Sequence, residues 1–291
     1  MRQFYTGLIE WSNENTSHFR VCWLWAATIG EALADMINCA IFQGIQNPTI
    51  RQFDPYRFTD LPMDKVDDCG NGVFWSKNTY SFPEKANYQL PYGVVASCLE
   101  GKHNITDIQV GYQLKCYEQL TELTVVTEAD ACLSLYIQLL CVLPELSAFL
   151  VTFQHDWENY GVEEVYVCDK LVAPQSINAF LNHHYIDIFL NGHLTLTSYA
   201  NQGETNISID DHKLILVSGY DESVIQLACR CLEKYGIFRK NDLVTIQSNI
   251  YHWHYKHPEG RARKDLTKLL KKAEFAFSEA LSARTSDPET L

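Results

Sequence analysis

Positive charge is scarce in this chain. Its 291 residues carry 23 Lys and Arg against 36 Asp and Glu, a formal net charge of −13 at neutral pH. A body of that sign repels phosphates, which argues against nucleic-acid binding by the whole chain. The short motifs that announce common chemistries are also missing: there is no Gly-x-Ser-x-Gly, no His-Glu-x-x-His, no Walker loop and no dinucleotide fingerprint. The turn "LVSGYDES" (216–223) has a single glycine, too few to cradle a nucleotide phosphate. Ten cysteines are present, but the nearest approach to zinc spacing is Cys229-x-Cys231. Most lie in apolar runs, where a free thiol behaves as a small hydrophobe. A chain of this size does not need a disulfide framework.

Uninterrupted apolar runs are missing as well. Residues 21–45 contain Glu31 and Asp35, and residues 132–153 contain Gln138, Pro144 and Glu145. Carboxylates at mid-span are expensive in lipid, so the reading is no membrane span. The opening "MRQFYTGLIEW" has no charged region leading into a clean apolar stretch, so no signal peptide is evident. The expectation is a reduced, cytoplasmic protein. No internal repeat, low-complexity tract or Pro/Gly/Ser linker divides the chain.

Apolar residues make up 46%, enough for a substantial core, and the length suits one large or two ordinary domains. The expected fold class is α+β, with a helical N-terminal half packed on a mainly antiparallel sheet with helices in the C-terminal half. Residues 1–160 read as mostly helical. A helix runs from a cap at Asn15–Ser17 to Gly44, an irregular aromatic- and Pro-rich insertion fills 46–95, and helices open near Glu128 and again at Pro144. Residues 161–291 read as an α+β domain of β-α-β-β-β-β-α-β-α order. Its parts are a strand at 163–168, a helix at 173–184 and a hairpin at 185–199. A second hairpin (205–218) turns at Asp210-Asp211, and a helix (220–236), a strand (242–255) and a basic amphipathic helix (260–284) follow. In the first hairpin, a three-residue turn with Gly192 in the left-handed region keeps the aliphatics on one face.

Two stretches stand out chemically. In "YHWHYKH" (251–257), strand parity puts His252 and His254 on one face and Trp253 on the other. A His-x-His pair can supply two metal ligands, with His183, His184 or His257 as a third, but the sequence shows no completing carboxylate or second shell. No cofactor is otherwise called for, so a divalent metal enters only if these histidines converge. In the C-terminal helix, Lys264, Lys268, Lys271, Lys272 and Phe275 share a face, which with Trp253 makes a candidate strip for a partner. Acidic clusters at Asp60–Asp68, Glu163-Glu164 and Asp210-Asp211 read as solvated faces. With the aromatics of 53–92 they are suited to a basic protein. The leading expectation is therefore a non-enzymatic protein-interaction protein, an acidic inhibitor or neutraliser of a basic partner. The alternative is a metal- or histidine-dependent enzyme centred on His252 and His254.

Overall fold

The computed structural model describes residues 2–13, 16–83, 88–96, 107–155, 157, 162–200, 204–248 and 252–285. Sheet dominates it, and the expected helical N-terminal half is overturned. Residues Gln3–Asn13 (β1) and Thr16–Ala26 (β2) form a long antiparallel hairpin. The reason for the misreading is burial on both faces. Phe4, Leu8, Val21 and Trp23 belong to one apolar cluster, whereas Tyr5, Ile9, Cys22 and Leu24 belong to another with Ala32, Met36 and Ala40 of α1 (Ile29–Phe42). A strand covered on both sides loses its polar–apolar alternation and reads as a continuous apolar run. The helix packs so closely that a Cβ on Gly7 would overlap the Met36 sulfur.

The insertion at 46–95 is made of short strands. Strand β3 (Thr49–Pro55) pairs with β1, β5 (Val73–Ser76) and β6 (Tyr80–Pro83) pair with β2, and β4 (Val66–Asp68) pairs with β5, closing a first, antiparallel sheet. Several of its aromatics pack inward, Phe53 stacking on Tyr5 with Phe74 and Tyr80 buried, whereas Phe58 stays exposed. Strand β7 (Val94–Ala96) stands apart from it.

The second sheet has eight antiparallel strands drawn from both sides of residue 160. In spatial order they are β16 (Ala276–Phe277), β11 (Glu164–Cys168), β10 (Leu146–Phe153), β12 (Leu194–Ala200), β13 (Thr205–Ile209), β14 (Ile215–Gly219), β9 (Leu120–Val126) and β8 (Gly111–Tyr117). Helices α2 (Ala129–Val142), α3 (Pro174–His183) and α4 (Glu222–Lys234) lay Leu135, Leu139, Ile177, Leu181, Ala228 and Leu232 into the largest core.

Four further expectations are corrected. Pro144 does not restart a helix: β10 follows it, between β11 and β12, with Phe149, Val151 and Phe153 fully buried. Residues 185–199 are not a hairpin. Tyr185–Phe189 is a π turn continuing α3, and only Leu194–Ala200 is a strand. That strand is already paired with β10 and β13, so it has no edge left for a third neighbour. The C-terminal helix is broken into α5 (Arg263–Lys272) and α6 (Glu279–Thr285). Glu274 takes a left-handed φ of +67° and Phe275 N–H bonds back to the Leu270 carbonyl, a helix-ending loop that turns Phe275 into the core against Phe149 and Phe180. The predicted strand 242–255 survives only as His252–His254 (β15), and residues 249–251 lie outside the described set. Among the described residues no helix is long and apolar enough to cross a membrane.

Phe149 joins the helices, the broken C-terminal segment and the sheet. We expect Phe149→Ala to cost about 3–5 kcal/mol in urea denaturation. A loss under about 1 kcal/mol contradicts this packing.

Candidate functional site

The chain from His252 to His257 is held on both sides by backbone. Strand β15 pairs antiparallel with β7, His252 opposite Ala96 and His254 opposite Val94. Beyond it, Tyr255 N–H donates to the Gly93 carbonyl (2.8 Å), Gly192 N–H donates to the Tyr255 carbonyl (2.9 Å), and His257 N–H donates to the Leu190 carbonyl (3.0 Å). Gly93 and Gly192 touch backbone to backbone, so a Cβ on Gly192 would overlap the Gly93 carbonyl oxygen. Glycine is required at 192 for this close approach and not for a left-handed turn: Gly93 carries the positive φ (+103°), and Gly192 is not among the positive-φ residues. Parity then divides the side chains. Trp253 packs edge-on against Trp23 (6.2 Å) and Tyr255 against Tyr92 (5.0 Å), while His252 and His254 turn the other way.

A third histidine meets them, and it is none of those the sequence suggested. His183 and His184 lie at the end of α3, beside α5, and His257 packs on Tyr92. The partner is His212, on the tip Asp210-Asp211-His212-Lys213 between β13 and β14. The three rings form a triangle with centroid separations of 4.6, 4.8 and 5.2 Å, and the His212 and His252 Nε2 atoms are 2.9 Å apart. One ligand nitrogen from each ring lies within 4.8 Å of the others.

The tip is preorganised. The Asp210 carboxylate accepts from Leu214 N–H (2.8 Å) and from the Gln247 amide (2.7 Å). Lys213 adopts a left-handed φ of +62° and sends its buried ammonium to the Asn191 carbonyl (2.7 Å). Asn191 in turn donates to the Asp187 carbonyl and accepts from His193 N–H, so the tip is fastened to the Gly192 turn. The Asp211 carboxylate lies 2.8 Å from His212 Nδ1 and 3.6 Å from His254 Nδ1. A carboxylate behind Nδ1 fixes the tautomer and aims Nε2 outward, as metal-binding histidines require. The Asp210-Asp211 cluster, read from sequence as a solvated face, is thus largely buried beneath the histidines.

The electrostatics follow from burial and proximity. Burial disfavours charge on His212, yet the Asp210 and Asp211 carboxylates outweigh it and push the imidazole up to about 9. Burial raises Asp210. Burial also works to raise Asp211, but the His212 hydrogen bond and His254 hold it below the ordinary carboxylate value. Burial brings Lys213 down to about 8.

A cavity of about 360 Å³ opens beside the histidines. His252, His254 and Asp211 line one wall and Thr6, Gln52 and Asp54 the other, so both sheets contribute. His193 also borders it, parallel to Trp157 (5.9 Å) and edge-on to His254 (6.1 Å). The far wall is tied to the histidine strand by Lys256 N–H donating to Gln52 Oε1 (3.1 Å).

The candidate partner strip is not assembled as predicted. Lys264, Lys268, Lys271 and Lys272 are exposed on α5, and Lys268 pairs with Asp265 (2.7 Å). Phe275 is in the core, and Trp253 packs on the first sheet. Sequence reasoning missed His212, Thr6 and Asp54. The first had a signal, a histidine behind two aspartates at a hairpin tip. The others sit in strands whose topology was misread. No family model matches this chain, and neither does any curated protein or solved structure with which it was compared.

The glycine contact gives a direct test of how the histidines are positioned. Gly192→Ala should lower stability by about 1–3 kcal/mol and shift the imidazole NMR signals of His252 and His254. Gly30→Ala, where the added methyl meets nothing within 4 Å, should leave those signals in place.

Proposed function

We propose that this protein binds one divalent transition metal through His212, His252 and His254 and uses it as a metal-dependent enzyme on a small molecule held in the adjoining cavity. The observation that carries this reading is the convergence of three imidazoles from two separate segments over a shared carboxylate. Three histidine nitrogens, two of them from residues that line a cavity, would suit a catalytic zinc site, which keeps a position open, better than a structural one, which is closed by a fourth protein ligand. Bound there, such an ion supplies Lewis acidity and activates water near neutral pH, which suits hydrolysis. The protein's part is to aim the imidazoles, and binding an ion there would displace the proton that the two carboxylates favour on His212. Asp211 aims them from behind, Asp210 and Gln247 brace the tip, and the β7–β15 pairing sets the spacing of His252 and His254.

The reading as an acidic interaction protein rests on net charge and on the aromatics of 53–92. Phe53, Phe74 and Tyr80 pack within the first sheet's cores, which leaves that surface less to offer.

Metal analysis of protein purified without chelator and dialysed against trace Zn²⁺ should give close to one equivalent. Isothermal titration should show at least a tenfold loss of Zn²⁺ affinity for His212→Ala and for His254→Ala. Asp211→Asn should weaken binding about 10–100-fold with little change in melting temperature. Failure of the wild-type protein to bind Zn²⁺, Co²⁺ or Mn²⁺ overturns the proposal.

A further inference from the structure

The wall facing the histidines has its own chemistry. Thr6 on β1 and Asp54 on β3 are direct cross-strand partners, and Gln52 lies two residues before Asp54 on the same face. Around them that face carries the apolar Phe4, Leu8 and Trp23. Three polar side chains in the middle of it are nevertheless buried, at 6%, 8% and 5% exposure for Thr6, Gln52 and Asp54. Burying polar groups costs free energy unless they are used. Gln52 is used in part, since it donates to Asp54 and accepts from Lys256 N–H. The Thr6 hydroxyl has no hydrogen-bond partner among the described residues and borders the cavity. A carboxylate, an amide and an unengaged hydroxyl therefore converge where Tyr56 and Trp253 supply aromatic surface. Among the described residues, no Lys or Arg lines the cavity.

We propose that this wall is a subsite for a small organic cation, an ammonium or guanidinium group on the molecule whose other end reaches the histidines. This assignment rests on the metal-site reading for the reacting end only. A carboxylate attracts such a group directly, aromatic faces hold cations within about 6 Å of the ring centre, and the hydroxyl and amide accept the remaining N–H donors. Among the described residues, phosphorylated or carboxylated molecules meet no Lys or Arg here and two carboxylates, Asp54 and Asp211. The volume suits a molecule near the small end of the usual ligand range.

The test uses agmatine and putrescine as probes, with glucose and AMP as neutral and anionic comparisons, titrated calorimetrically into the zinc-loaded full chain. The expected result is binding of agmatine at least tenfold tighter than glucose or AMP. Asp54→Asn should lose at least tenfold in agmatine affinity at unchanged zinc stoichiometry. Thr6→Val, nearly isosteric and expected to fold normally, should lose a smaller factor and keeps the test open if the Asp54 variant unfolds. The doubly substituted His252→Ala/His254→Ala protein, unable to hold metal, should still bind agmatine, which separates the subsite from the metal reading. The inference is overturned if no cation binds the zinc-loaded protein, if Asp54→Asn and Thr6→Val both bind agmatine as wild type does, or if glucose or AMP binds more tightly.

Discussion

The contact between the Gly93 and Gly192 backbones is the constraint on which the rest of the site depends. Two loops from different parts of the chain come so close that neither position has room for a Cβ. The segment 252–257 is threaded past that contact, bonded to Gly93 through one Tyr255 amide group and to Gly192 through the other. A three-residue strand has little stability of its own. Bonded on both sides it has no freedom to slip, and a slip of one residue would exchange His252 and His254 for Trp253. The histidines owe their direction to this clamp, and the clamp exists because two glycines allow it.

The same turn anchors the third histidine. Lys213 holds a left-handed backbone, which costs a non-glycine residue of order 1 kcal/mol, and it buries an ammonium group that burial alone disfavours. Against these costs stand the hydrogen bond to Asn191, which also organises the Gly192 turn, the nearby Asp210 and Asp211 carboxylates and the Phe189 ring 5.8 Å away. The 210–213 tip and the 252–257 segment are thereby both tied to one short piece of backbone, residues 190–192, which sets the spacing of the three imidazoles. Asp211, shared between His212 and His254, adds an electrostatic link to the mechanical one.

Part of this was legible in the sequence. The strand at 164–168, the helix at 174–183, the hairpin turning at Asp210-Asp211 and the helix capped by Asp221 all carry local signals that tertiary context left intact. The β1–β2 hairpin and β10 were not legible because both of their faces are covered, which erases the alternation that marks a strand. The break after Lys272 was hidden because Glu274 occupies a left-handed position where glycine is usual, so a helical pattern ran on through a real end and carried Phe275 to the wrong face. Strand parity correctly separated His252 and His254 from Trp253. Nothing local, however, reports that a hairpin tip forty residues upstream meets them.

The site also explains why the two sheets need each other. The eight-stranded sheet supplies His212 and the turn that fixes it, and the β7–β15 pair supplies His252 and His254, but a histidine cluster over buried carboxylates does not by itself make a place for a small molecule. The first sheet contributes a polar cross-strand pair, Thr6 and Asp54, in a face that packing alone would have filled with apolar side chains. Gln52 joins the two parts, touching Asp54 on its own strand and the backbone of Lys256 on the histidine segment. A polar residue buried for stability alone needs partners only for itself. These residues line a cavity also bordered by His252 and His254 of the β7–β15 pair, and the Thr6 hydroxyl makes no hydrogen bond among the described residues. That pattern, local instability maintained where two structural units meet, is what a recognition wall requires and a core does not.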